Sequence, residues 1–416
     1  MMIPELLSPA GNFEKLKAAI RYGADAVYLA GNAFGMRAAA DNFSDEELIA
    51  AVEYAHARGK RVYVTVNTMP HEGEYGALER YADVLRKASP DALIVADIGV
   101  LSLMRERLPE IPLHISTQAN AVSAAACRAW HALGASRIVL ARELTLEEIK
   151  KIREALPPEV ELETFVHGSM CISYSGRCLL SAYLSGRDAN RGGCTQPCRW
   201  NYHTSVERIA LVEEKRDKTP LPIEEINGET FILSSKDLSM ISHVRELIDA
   251  GITSFKIEGR MKSAYYTAVV TNTYRMAIDR MLSGDDAIDP RWLRELESVS
   301  HREYSTGFFF DDPREMANIS STTGYIGEKS YLATVLSYNA ETNEALFVQR
   351  NKLADGQTVE LLTPGRVGRS FVISGLTDEN REPISATPHP MMRFYAKVPF
   401  AVGEGDILRM PVGGSL

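Results

Sequence analysis

The chain has 416 residues, 45% of them hydrophobic and 24% charged, ordinary proportions for a globular protein of two or three domains. Its formal net charge of −9 argues against a surface coated in cations for indiscriminate nucleic-acid binding, though it leaves room for a local basic patch. No apolar run reaches the roughly 18–20 residues of a membrane span, and the first residues carry no basic stretch followed by an apolar one, so the expected compartment is the cytoplasm and no membrane partner is expected.

The first 168 residues alternate short apolar runs with helical periodicity. Strands are predicted at 4–10, 25–31, 61–67, 91–97, 112–118, 137–142 and 160–168. Between them lie amphipathic helices such as NFEKLKAAIRYG and SDEELIAAVEYAHARG, the second opened by Ser44 and Glu47 in a capping-box pattern. GADAVYL and GASRIVL each read as a helix end delivering the chain into the next strand. SFKIEGR (254–260) supplies an eighth strand, followed by the long helical pattern SAYYTAVVTNTYRMAIDRML. Eight strand–helix steps predict an α/β fold of the (β/α)8 TIM type over 1–304, with 284–304 as a helical connection. From 305 to 416 the helical period stops. Short β-rich runs between Gly and Asn turns predict a small antiparallel β-barrel domain.

Strand seven is followed by an insertion (168–230) that holds four of the five cysteines. Cys171, Cys178, Cys194 and Cys198 are spaced C-x6-C-x15-C-x3-C, and Arg177 and Arg199 sit among them. In a cytoplasmic protein such a group points to metal or redox chemistry rather than to disulfides. Spacing alone leaves three readings open: a [4Fe–4S] cluster, a zinc site lacking the usual pair of knuckles, or ordinary reduced thiols. Cys127, in a helical pattern, reads as a small buried hydrophobe.

Residues two apart share a strand face. Tyr63, Thr65 and Asn67 form one such set, His114, Ser116 and Gln118 another, and Lys256, Glu258 and Arg260 a third. Polar positions near strand C-termini are where a barrel builds its site. His167, Glu258 and Lys256 are therefore the candidate catalytic groups, as proton carriers or, for Lys256, a nucleophilic amine. Arg37, Asn67, Gln118 and Arg260 are candidate substrate contacts, with Arg177 and Arg199 as phosphate contacts. Each has a plain structural alternative: a packed core histidine, an internal ion-pair network, a surface arginine. No H-E-x-x-H, G-x-S-x-G, P-loop or G-x-G-x-x-G pattern is present.

ELLSPAGNFEKLKAAIRYGADAVYLAG, FVHGSMCISYSGRCLLS, GGCTQPCRW, SSKDL and FKIEGRMKSAYY resemble the collagenase-like peptidase family U-thirty-two, most closely its bacterial tRNA-hydroxylating branch. The resemblance spans nearly the whole chain. It implies oxygen-independent hydroxylation of the tRNA wobble uridine to 5-hydroxyuridine, at the anticodon loop, with prephenate as a required co-substrate. It also implies an iron–sulfur cluster held by Cys171, Cys178, Cys194 and Cys198. The competing expectations are a collagenase-like peptidase and a zinc-stabilised RNA-binding module.

Overall fold

The computed structural model describes residues 3–35, 42–171, 173, 178, 180–187, 193–197, 224–226, 229–231, 235–311, 326–327 and 331–411. The strands of the first half are β1 (Glu5–Pro9), β2 (Ala26–Leu29), β3 (Arg61–Val66), β4 (Ala92–Val95), β5 (Leu113–Ile115), β6 (Ala135–Val139) and β7 (Glu161–Ser169). A hairpin, β8 (Glu224–Ile226) and β9 (Glu229–Phe231), and a short strand β10 (Asp237–Ser239) precede β11 (Ser254–Ile257). The helices of this half are α1 (Phe13–Arg21), α2 (Asp45–His56), α3 (Tyr75–Ala88), α4 (Ile98–Arg107), α5 (Ala124–Ala132), α6 (Leu146–Glu154), α7 (Leu180–Ser185) and α8 (Val244–Asp249).

β1 to β7 pair in parallel in chain order, and β11 pairs in parallel with both β1 and β7. Leu7 lies opposite Lys256 and Lys256 opposite Phe165, so the eight-stranded sheet closes on itself as a TIM-type barrel. β2 and β4 are buried at every position, as a parallel sheet covered on both faces requires. The Ser44–Glu47 capping box forms at α2, and Thr145 with Glu148 makes a second at α6. Gly23 and Gly134, at φ +103° and +105°, turn the chain from a helix end towards the next strand, a conformation L side chains rarely adopt. Cys127 is fully buried on α5, as its pattern indicated. Two further strands were not foreseen. β10 runs antiparallel to the end of β7, and the two-residue β12 (Tyr304–Ser305) pairs with β10. Elements of two or three residues carry too little periodicity to register in a sequence.

The chain divides into two compact units, each built from three segments. The first comprises 1–12, 26–261 and 302–326; the second comprises 13–25, 262–301 and 327–416.

Within the second unit, α9 (Ala264–Leu282) packs on α1 and on α10 (Pro290–Glu297). Its sheet holds β13 (Tyr331–Asn339), β14 (Glu344–Gln349), β15 (Thr358–Leu362), β16 (Arg369–Val372), β17 (Ser374–Thr377), β18 (Arg393–Lys397) and β19 (Ile407–Arg409). The antiparallel order is β16-β15-β19-β13-β14-β18-β17. The two edge strands, β16 and β17, are consecutive in the chain and joined by buried Ile373 alone, so the sheet curls until its edges meet. RSFVISGL reads as one apolar run but supplies both edges. Inside the curl lie Leu332, Val335, Phe347, Leu361 and Phe394. Arg409, fully buried, holds Glu295 of α10 at 2.7 Å and Glu360 of β15 at 2.9 Å.

Candidate active site

Strand alternation sorts the barrel interior of the first unit into tiers. At the N-terminal ends lies a charge network. Arg137 binds Glu5 at 2.6 Å, Glu161 at 2.7 Å and Glu163 at 3.1 Å; Lys256 binds Glu163 at 2.7 Å; Arg61 reaches Glu5. Three carboxylates thus face three cations, and the Tyr63 hydroxyl donates to Glu5 at 2.6 Å. Burial opposes ionisation of Glu163, but Lys256 and Arg137 outweigh it and hold its pKa below the usual value. His114 stands edge-on to Tyr63, and burial, then Arg137 and Lys256, push its pKa well down, so its ring is neutral at pH 7. Above this network Leu7, Ala26, Tyr28, Tyr63, Ala92 and Ile94 form an apolar floor. The barrel is therefore filled, and chemistry belongs above that floor.

The upper tier is polar. Asn67 donates to Gln118 at 2.6 Å, and both approach Ser116. The Nε2 of Gln118 is buried without a hydrogen-bond partner. Arg260, buried, donates to Thr65 at 3.3 Å and to Asn42 at 2.8 Å. His167, also buried, meets the Tyr304 hydroxyl at 3.4 Å, with ring centroids 5.2 Å apart. The backbone N–H of Glu258 donates to the His167 carbonyl at 2.8 Å, which joins the two strand ends. Tyr28 donates to the Ile257 carbonyl at 2.9 Å and approaches the Glu258 carboxylate at 3.5 Å.

The chain leaving β7 is pinned carbonyl by carbonyl. Arg142 donates to the Ser169 oxygen at 3.1 Å and Ser235 to the Met170 oxygen at 2.7 Å. Arg302 donates to Ser235 and grips Asp237 through Nε and Nη2 at 3.0 and 2.6 Å, a buried two-pronged pair. Cys171 follows at once and is exposed, while Cys178 and Cys194 are half-buried; none of these thiols is in a disulfide. Gly186, Arg187 and Gly193 of the insertion line a cavity of about 500 Å³ with Asn32, Phe34 and Thr68 from the loops after β2 and β3. Phe34 sits at φ +57°, a left-handed conformation that a bulky side chain seldom takes outside functional sites.

The sequence candidates divide accordingly. Asn67 and Gln118 come together, Arg260 joins the same polar tier, and His167 and Glu258 meet through the backbone. Lys256 does not join them. It lies in the lower network, bonded to Glu163, with Tyr28 and Phe165 rings 4.6 and 5.5 Å away. Arg37, Arg177, Arg199 and Cys198 lie outside the described residues. Among the described residues no three His, Cys, Asp or Glu side chains gather as metal donors, so Cys171, Cys178 and Cys194 do not form such a set by themselves. As unbonded thiols within reach of solvent, they have the donor chemistry of a cluster or zinc site that draws in the fourth. Reading by residue missed Glu163, Arg142, Asn42, Tyr304 and the Asp237–Arg302 pair. Glu163 had a signal, since Glu161, Glu163, Phe165 and His167 alternate along β7. Tyr304 had none, because 137 positions separate it from His167.

These features define a class: a closed parallel barrel with a cysteine-bearing excursion after its seventh strand and a curled antiparallel sheet in the chain's last third. Residues 11–318 match the model of peptidase family U32 and residues 328–409 that of the peptidase family U32 C-terminal domain, so the chain belongs to peptidase family U32. It is 36% identical over 412 residues to tRNA hydroxylation protein P1 of Bacillus subtilis, spanning 98% of this chain and 94% of that protein. It is 38% identical over 278 residues to the 23S rRNA 5-hydroxycytidine C2501 synthase of Escherichia coli, covering 67% of this chain and 40% of that one. A collagenase of Porphyromonas gingivalis is 31% identical over 373 residues, 86% of each chain. Among the described residues no helix is long and apolar enough to cross a membrane.

Proposed function

We propose that this chain is an RNA-hydroxylating enzyme that acts at the open end of its barrel on the C5 carbon of a pyrimidine. The carrying observation is the likeness over 98% of the chain to a protein named for tRNA hydroxylation. A second relative is named for making 5-hydroxycytidine, and this supports the same carbon on a second base. The finer reading is hydroxylation of the wobble uridine of tRNA to 5-hydroxyuridine in the cytoplasm, with prephenate as co-substrate and without molecular oxygen. In the modified base a C5–OH bond stands where the C5–H bond was.

The side chains above the apolar floor suit that task. Gln118 offers an amide N–H that a uracil carbonyl can accept, and Asn67 holds its oxygen in place. Arg260 offers a cation for a carboxylate of prephenate. His167, which meets Tyr304, and Glu258 would hold or move the proton lost from C5. Cys171, Cys178, Cys194 and Cys198 would hold an iron–sulfur cluster, with zinc as the rival occupant. When bound, a [4Fe–4S] cluster supplies a redox-active, Lewis-acidic iron.

Nucleoside mass spectrometry of tRNA from a strain lacking this gene is the direct test, in a background without a second such enzyme. Loss of 5-hydroxyuridine and its derivatives is expected, restored by the wild-type gene and not by His167→Ala. Unchanged nucleosides, together with gelatin cleavage by the purified protein, would replace this reading with the peptidase one.

A further inference from the structure

The geometry points to a second RNA contact, a phosphate-binding pocket in the second unit formed by α9, the start of α10 and the turn between β15 and β16. It rests on the RNA reading above and concerns the ribose–phosphate backbone rather than the base that reacts. The pocket holds about 520 Å³. Four arginines line it, Arg280, Arg291, Arg366 and Arg369, against two aspartates, Asp279 and Asp289.

Both aspartates are already engaged. Asp279 takes Arg275 at 2.6 Å and Asp289 takes Arg291 at 2.6 Å, while Arg280 turns to Asp285 at 2.6 Å. Arg366 forms no ion pair among the described residues, and Arg369 forms none at salt-bridge distance, though its charge is felt by Asp406. The Nε of Arg369 is buried without a hydrogen bond, its guanidinium 3.8 Å from the centre of the Phe400 ring. Arg366 is exposed.

The turn that presents them is held from beneath. Asn272 of α9, 1% exposed, accepts from the Gly365 N–H at 2.7 Å and donates to the Arg366 carbonyl at 2.8 Å. Glu295 of α10 accepts from the Gly368 N–H at 3.0 Å. Two buried side chains thus fix a surface turn that carries exposed Arg366. On a chain of net charge −9, the exposed guanidinium of Arg366, set among three further arginines that outnumber the two lining aspartates, makes a local anion site. Trp292 is buried in the wall with the Arg280 guanidinium 5.5 Å from its ring, so it offers no face for a base to stack on. The site therefore reads phosphates without regard to sequence.

The test measures binding of the full chain to unmodified full-length tRNA transcript across a salt series. Neutralising one phosphate contributes a slope of about 0.9 in log affinity against log salt, hence about tenfold in affinity near 0.1 M salt. Arg366→Ala is expected to bind about tenfold more weakly and to lower the slope by about 1, equally for two tRNAs with unrelated anticodons. Lys352→Ala removes the same single charge from an exposed cation of the same unit that does not line the pocket, and keeps the wild-type slope. Arg366→Ala with wild-type affinity and slope overturns the pocket as an RNA site, as does a wild-type protein that binds no tRNA. Weakened binding by Arg366→Ala with unchanged tRNA nucleosides in the deletion strain upholds the pocket and sinks only the hydroxylase reading.

Discussion

Glu163 and His114 share two cations, Arg137 and Lys256, yet take opposite charge states beside them. Glu163 is fully buried and stays ionised because Lys256 and Arg137 repay its burial. His114 is buried beside the same two cations and stays neutral. Both folded-state pKa values are lowered, so both contributions to stability are present at high pH and lost on acidification. For His114 the loss sets in below its ordinary 6.5, where the unfolded chain takes up a proton that the folded chain refuses. For Glu163 it sets in below 4.5. Thermal melts should therefore fall between pH 7.5 and 5.5 in the wild type and fall less in His114→Phe, which keeps the ring edge against Tyr63 but cannot titrate. Parallel pH dependence in the two proteins would contradict this account.

At the scale of elements, the end of β7 decides where the insertion begins. β10 pairs antiparallel with residues 167–169, and the Asp237–Arg302 pair anchors β10 to the chain entering β12. Breaking one partner of a buried ion pair costs about 3–5 kcal/mol, because the other charge remains buried alone. Asp237→Asn is expected to lose stability of that order in urea unfolding. A change under about 1 kcal/mol would mean that Ser235 and the backbone hold Arg302 without the charge. The same logic applies to Lys256, whose buried charge is held by Glu163. Three charges on one strand face, Lys256, Glu258 and Arg260, were legible. That Lys256 alone of the three is drawn into the Glu5–Arg137–Glu163 network depends on Glu163, which lies on another strand.

For the whole molecule, the four cysteines of the excursion after β7 are the feature on which the redox reading turns. Protein purified without air is expected to be brown, with broad visible absorption and bound iron and sulfide. Cys171→Ser and Cys198→Ser should each abolish this. Cys127→Ser should not, since that thiol is buried on α5 and its pKa is pushed up to about 11, mainly by burial. A colourless protein holding one equivalent of zinc, and losing it in the same two variants, would assign the cysteines to structure instead.

Much of the architecture was written locally. Strand alternation, capping boxes and glycine turns are short-range effects, so eight barrel strands and the β-rich runs of the last third could be read one segment at a time. The clustering of four cysteines within 28 residues was equally plain, because it is a property of the chain alone. What could not be read was anything that depends on which residues face each other across a closed sheet: the Glu5–Arg137–Glu163–Lys256 network, Tyr304 against His167, and the Asn272 clamp beneath Arg366. Pairing partners are chosen by ring closure and by the desolvation of charge, and both are settled only when distant strands are brought to within a few ångströms.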